Sequence, residues 1–202
     1  MNLPNKITIG RIILSIFMII LLLIPWHNLD FQFPIYLING ELIDLKYIIA
    51  GIIFIIASLT DFVDGYLARS RNLVTDFGKV ADAIADKILV NGLLIILAYE
   101  RMIPVLIPVV IITRDIIVDS CKMISGNNGK VVAASWLGKA KTMCMMIGLA
   151  LTLFGNLPFV LINLPVNSIL LLIATILSII SGCQYYYQSK QYLFSNVDKK
   201  NK

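Results

Sequence analysis

Asp61, Asp64, Asp82 and Asp86 are the residues whose type and spacing could do chemistry. Asp61 and Asp64 stand three apart, Asp82 and Asp86 four apart. On α-helices each spacing sets both carboxylates on one face. A short connection predicts that the two helices are antiparallel neighbours, so both pairs would lie at one depth and converge. Converging carboxylates repel one another and are costly to desolvate at membrane depth. Protonation would relieve this, but divalent cations relieve it directly. Carboxylate oxygen suits magnesium, manganese and calcium, and no cysteine or histidine nearby favours a softer metal. Four carboxylates could hold two ions, an arrangement that clamps the attacking and leaving oxygens of a phosphoryl transfer. The alternative is a set of salt bridges with Arg69, Arg71, Lys79 and Lys87.

The rest of the chain must position these groups. It has 202 residues, 58% hydrophobic and 14% charged, with mean hydropathy +0.86. A soluble domain is nearer a quarter charged, so the composition indicates an all-α, multi-span membrane protein. One domain over residues 1–202 is expected, with no room for an appended soluble module. Six stretches approach the ~20 apolar residues that a spanning helix needs: 7–26, 45–68, 80–99, 103–124, 138–154 and 157–187. The loop 28–44 receives no catalytic role. With the N-terminus in the cytoplasm, 15 of the 17 lysines and arginines fall on the cytoplasmic side, leaving only Lys46 and Arg101 opposite. That asymmetry predicts both termini in the cytoplasm, a multi-pass protein of the cell membrane and an active site facing the cytoplasm. It also accounts for the net charge of +5 without nucleic acid as a partner. Arg11 interrupts the first apolar run and no small-residue cleavage site follows Pro25, so this run reads as a retained span rather than a signal peptide. Trp26, Trp136 and Tyr185–Tyr187 are expected in interfacial belts. Cys121, Cys144 and Cys183 lie far apart and predict neither a disulfide nor a zinc site.

Glycine inside a helix costs roughly 0.5–1 kcal/mol relative to alanine. Gly65 and Gly78 flank the aspartates nonetheless, and would let a ligand or a neighbouring backbone approach. Ala68 continues the small-residue track from Gly65, and Arg69 offers a planar donor fork suited to phosphate. Small-residue helix packing is the alternative.

Asp61-x-x-Asp64-Gly65-x-x-Ala68-Arg69, eight further residues, then Gly78-x-x-x-Asp82-x-x-x-Asp86 resembles the full signature of the CDP-alcohol phosphatidyltransferases. All eight signature positions match within 26 residues. The resemblance implies transfer of a phosphatidyl group from CDP-diacylglycerol to an alcohol, with release of CMP. It assigns Asp61, Asp64, Asp82 and Asp86 to a centre of two Mg2+ or Mn2+ ions, with Asp86 also the general base. It assigns Gly65, Ala68, Arg69 and Gly78 to the CDP surface, and it implies a homodimer. Leu3-Pro4-Asn5-Lys6-Ile7-Thr8-Ile9-Gly10-Arg11 resembles the family's opening segment, so Asn5 and Thr8 would contact the nucleotide. A polar interfacial start to the first helix, with Lys6 and Arg11 as orientation charges, is the alternative.

Two features bear on the acceptor. Thr113-Arg114-Asp115 places charge inside the fourth apolar run, where charge is functional by default. Gly138-Lys139-Ala140-Lys141-Thr142 sets two lysines near a helix N-terminus, a natural phosphate site. Arg114, Lys139 and Lys141 are therefore expected to form a positive pocket for a phosphorylated acceptor. Within the family these steps resemble the branch that makes phosphatidylglycerophosphate from sn-glycerol 3-phosphate. Inositol phosphate, serine or phosphatidylglycerol as acceptor remain open, as does a divalent-cation transporter, although clustering of the aspartates on one membrane side disfavours transport.

Overall fold

The computed structural model describes residues 2–29, 31, 33–38, 41–70, 75–127 and 135–198, and within these the side chains of residues 27, 29, 38, 41, 68, 69, 127 and 191–198 lie outside the description. Six α-helices make up nearly all of it: α1 (Leu3–Leu23), α2 (Leu45–Ser70), α3 (Asp76–Tyr99), α4 (Leu106–Asn127), α5 (Trp136–Leu153) and α6 (Val166–Asp198). Helices α1, α2 and α6 are long and apolar enough to cross a membrane. Arg11 of α1, Asp61 and Asp64 of α2 and charged residues of α3, α4 and α5 build the sites described below.

The helices group as two triplets. In one, α1 packs against both α2 and α3, while α2 and α3 barely touch. In the other, α6 packs against α4 and α5. Weaker contacts of α2 with α5 and of α3 with α4 join them. The expectation that α2 and α3 are direct neighbours is thus corrected: α1 is wedged between them. Its buried residues explain the wedge. Asn5, Thr8, Arg11, Ser15, Met18 and Leu22 recur at helical spacing and face inward. The first four are polar and the last two apolar, so one face of α1 changes character along its length. Its outward residues, among them Ile13, Phe17 and Ile20, remain exposed and apolar, as a lipid-facing surface requires.

The apolar half of the α1 face meets a core built from Phe54 and Ala57 of α2, Leu89, Leu93 and Leu97 of α3, Leu149 and Leu153 of α5 and Leu171 of α6. The free cysteines are buried at 121, partly buried at 144 and exposed at 183. Tyr185 does not belong to an interfacial belt, being only 3% exposed, whereas Tyr186 and Tyr187 are open. Consecutive residues on a helix turn by about 100°, so three in a row cannot share one surface.

Two departures from the sequence reading are local. The loop 28–44 contains an antiparallel hairpin, β1 (Ile35–Ile38) with β2 (Glu41–Asp44), in register from Ile35 opposite Asp44 to Ile38 opposite Glu41. The last helix starts at Val166 rather than near 157. Gly155, Asn156 and Asn163 all have positive φ, and Pro165 disfavours helix in the residue before it. Gly155 supplies the left-handed step at least cost, and the Asn156 N–H closes the end of α5 on the Leu151 carbonyl at 2.6 Å.

The buried Asn156 side chain ties this connection together. Its Nδ2 donates to the Leu164 carbonyl at 2.7 Å and its Oδ1 accepts from the Asn167 backbone N–H at 3.1 Å. Asn156→Ala removes both partners and leaves buried groups unpaired, a cost of about 1–3 kcal/mol. Thermal unfolding in detergent is expected to show a lowered midpoint; an unchanged midpoint would mean that the turn is held by its backbone alone.

Candidate active site

The inward polar face of α1 organises the aspartates. Arg11 Nη2 lies 3.0 Å from Asp82 Oδ1 and 3.6 Å from Asp64 Oδ2. Its Nη1 lies 3.1 Å from Asp86 Oδ1 and pairs also with Asp61 Oδ1. One guanidinium therefore touches both aspartates of α2 and both of α3. The salt bridges weighed from the sequence involved other cations. Lys79 instead pairs with Asp76 and Lys87 with Asp119 of α4, while Arg71 and the side chain of Arg69 lie outside the described residues.

The cluster has a closed base and an open rim. The side chains of Arg11 and Asp64 are 0% and 2% exposed, against 37% for Asp61, 42% for Asp82 and 50% for Asp86. Thr8, expected at the nucleotide, belongs to the base: its hydroxyl donates to Asp82 Oδ1 at 2.7 Å and lies 3.2 Å from Asp64 Oδ2.

Asp64 Oδ1 is buried and has no hydrogen-bond partner, although buried acceptors are normally satisfied. Hard oxygen donors in this number, one of them unsatisfied, fit a magnesium- or manganese-like cation. Among the described residues, however, no three acidic, histidine or cysteine side chains close on one point as ligands of a metal. The Arg11 guanidinium lies between the four carboxylates and pairs with each of them.

Asn5 and Gly78 form a lock between α1 and α3. Asn5 Nδ2 donates to Thr75 Oγ1 at 3.1 Å, and that oxygen also accepts from the Gly78 N–H at 3.0 Å, capping α3. A Cβ at Gly78 would sit 2.8 Å from Asn5 Oδ1. Close approach of α1 therefore already demands glycine here, apart from any ligand. Thr75 was not singled out from the sequence, although a threonine directly before a helical segment is a standard N-cap signal.

The basic residues gather elsewhere. Arg114, Lys122 and Lys139 line a cavity of about 400 Å3 with Ser135, Thr142 and Tyr185. Arg114 donates to Asp115 Oδ1 at 2.9 Å and to Ser181 Oγ at 2.8 Å. Arg114 and Lys122 both sit over the Tyr185 ring, 5.6 and 5.3 Å from its centroid, within cation–π range. The Tyr185 hydroxyl accepts from the Ser135 N–H at 3.0 Å. Lys141 does not line this cavity. It is buried and gives Nζ to Asp115 at 2.8 and 3.0 Å. Lys122 and Tyr185 take its place. Lys122 lies just over two helical turns beyond Arg114 on α4, a spacing that pattern alone does not distinguish from an orientation charge. Gly182 matters in the same way as Gly78, since a Cβ there would sit 2.9 Å from Arg114 Cγ.

The family model for CDP-alcohol phosphatidyltransferase matches residues 1–180. A CDP-diacylglycerol–glycerol-3-phosphate 3-phosphatidyltransferase of Bacillus subtilis (strain 168) is 42% identical over 187 residues, 92% of this chain and 93% of the relative. Proteins of the same name from Rickettsia bellii (strain RML369-C) and Wigglesworthia glossinidia brevipalpis are 35% and 32% identical, covering 95% and 97% of this chain and 97% and 99% of theirs. The family match takes in the aspartates of α2 and α3 and Arg114, Lys122 and Lys139 of the basic cavity, and the chain belongs to the CDP-alcohol phosphatidyltransferase family.

Proposed function

We propose that this protein transfers the phosphatidyl group of CDP-diacylglycerol to sn-glycerol 3-phosphate, giving phosphatidylglycerophosphate and CMP. The convergence of Asp61, Asp64, Asp82 and Asp86 at an open rim carries this reading, and the names of the relatives support the choice of donor and acceptor. In the reaction the acceptor hydroxyl forms a bond to the phosphorus that bears diacylglycerol. The bond from that phosphorus to the oxygen of the CMP leaving group breaks, and the hydroxyl proton leaves.

The four aspartates would hold two divalent ions, Mg2+ or Mn2+, which when bound neutralise charge on the transferring phosphoryl group and the leaving group. Asp86 is held by Arg11 through Oδ1 and is half exposed, leaving Oδ2 to take the acceptor proton. Gly65, Ala68, Arg69 and Gly78 form the CDP surface, with Asn5 and Thr8 supporting it from beneath. Arg114, Lys122 and Lys139 bind the acceptor phosphate, and Asp115 holds Lys141 beside them. The ion pair of Lys87 with Asp119 ties the residue after Asp86 to the helix that carries Arg114. In this reading all six helices span the cell membrane, both termini and the site face the cytoplasm, and the enzyme is a homodimer.

Purified protein given CDP-diacylglycerol, Mg2+ or Mn2+ and separate acceptors is expected to release CMP with glycerol 3-phosphate and not after chelation. Release only with inositol phosphate, serine or phosphatidylglycerol would reassign the acceptor. Metal flux in liposomes without CMP release would make the protein a transporter.

Asp86→Asn is expected to lower kcat by about 10²–10⁴, the usual worth of a general base; near-normal turnover would remove Asp86 from that role. Gly182→Ala pushes on Arg114. It is expected to raise the KM for glycerol 3-phosphate about tenfold, some 1.4 kcal/mol, and to leave the KM for CDP-diacylglycerol unchanged. Equal effects on both substrates would argue against the cavity as the acceptor site.

A further inference from the structure

We propose that Arg11 is a resident counter-cation: its guanidinium holds the four carboxylates together in the metal-free protein and yields its place when divalent ions bind. This rests on the metal reading given above and goes beyond it, because it assigns a role to a residue outside the signature. The observation is geometric. A side chain with no exposed surface sends its two terminal nitrogens to Asp61, Asp64, Asp82 and Asp86 at once.

Without a cation, four carboxylates at this separation would push α2 and α3 apart. Arg11 reduces their formal charge from −4 to −3 (four aspartates and one arginine) and so holds the site in shape without saturating it. The remaining charge still attracts cations, and the three rim aspartates leave them a route. The buried Asp64 Oδ1 is an acceptor that Arg11 does not satisfy, and Arg11 Nε is a donor that nothing satisfies. This is a serviceable fit rather than a closed one, as a temporary occupant requires. A guanidinium and a divalent ion on the same carboxylates repel each other, so the two states compete.

The test compares wild type, Arg11→Lys and Arg11→Gln as full-length protein in detergent. Mn2+ affinity is measured by the electron paramagnetic resonance signal of free Mn2+, and thermal unfolding is followed in chelator and in saturating Mn2+. In chelator Arg11→Gln is expected to unfold below wild type, and Mn2+ is expected to close most of that gap. Its Mn2+ Kd is expected to be about tenfold tighter than that of wild type, with Arg11→Lys between the two. Wild-type binding together with an equal or weaker Kd in Arg11→Gln overturns the proposal alone. Absence of Mn2+ binding to wild type overturns the metal reading and the proposal with it. Should Arg11→Gln not fold, the nitrogen-15 resonances of the Arg11 side chain in wild type carry the test. They are expected to shift on adding Mg2+, and unmoved resonances overturn the proposal.

Discussion

A guanidinium removed from water must be paid for by charges of opposite sign, and a carboxylate removed from water by donors. Arg11 and Asp64 meet this requirement for each other, with three further aspartates at the rim. Much of the first triplet depends on that exchange. It draws α1 between α2 and α3, so the helices bearing the carboxylates need not pack on one another. Thr8 adds a donor from the same face, and the lock of Asn5 with Thr75 and Gly78 fixes α1 against the start of α3. Further along the same face, Met18 and Leu22 enter the apolar core. One helix face thus joins an ionic centre to a hydrophobic one.

Much of the chemistry was legible in the sequence because it is local. Aspartates three and four apart fall on one helix face wherever the helix lies, and glycines among them mark close approach. The partners of these groups were harder to read because they come from elsewhere in the chain. Arg11 lies 50 residues before Asp61, so no short spacing ties it to the aspartates. A signal did exist: Asn5, Thr8, Arg11 and Ser15 recur at spacings of three, three and four. That is a polar stripe on an apolar helix, and such a stripe has to face something other than lipid.

The basic cavity illustrates the opposite limit. Arg114 and Lys139 do share a cavity, but Lys141, two residues from Lys139, turns away to Asp115. A rotation of about 200° on the helix separates their directions. Tyr185 was submerged in a run of three tyrosines and emerges as the ring beneath two cations. The start of α6 was hidden because residues 157–165 are almost as apolar as the helix that follows. Hydropathy measures burial in lipid, and backbone geometry at Gly155, Asn156 and Asn163 decided the boundary instead.

The division into triplets has a consequence for how such an enzyme can change. The aspartates and their arginine belong wholly to α1, α2 and α3, whereas the basic cavity belongs wholly to α4, α5 and α6. The seam between them is thin, and among the described residues the ion pair of Lys87 with Asp119 is a charged stitch across it. A substitution that reshapes the cavity need not disturb the carboxylates, and the reverse also holds. The architecture keeps the carboxylate cluster in one half and the basic cavity in the other, so that either can drift while the other stays fixed.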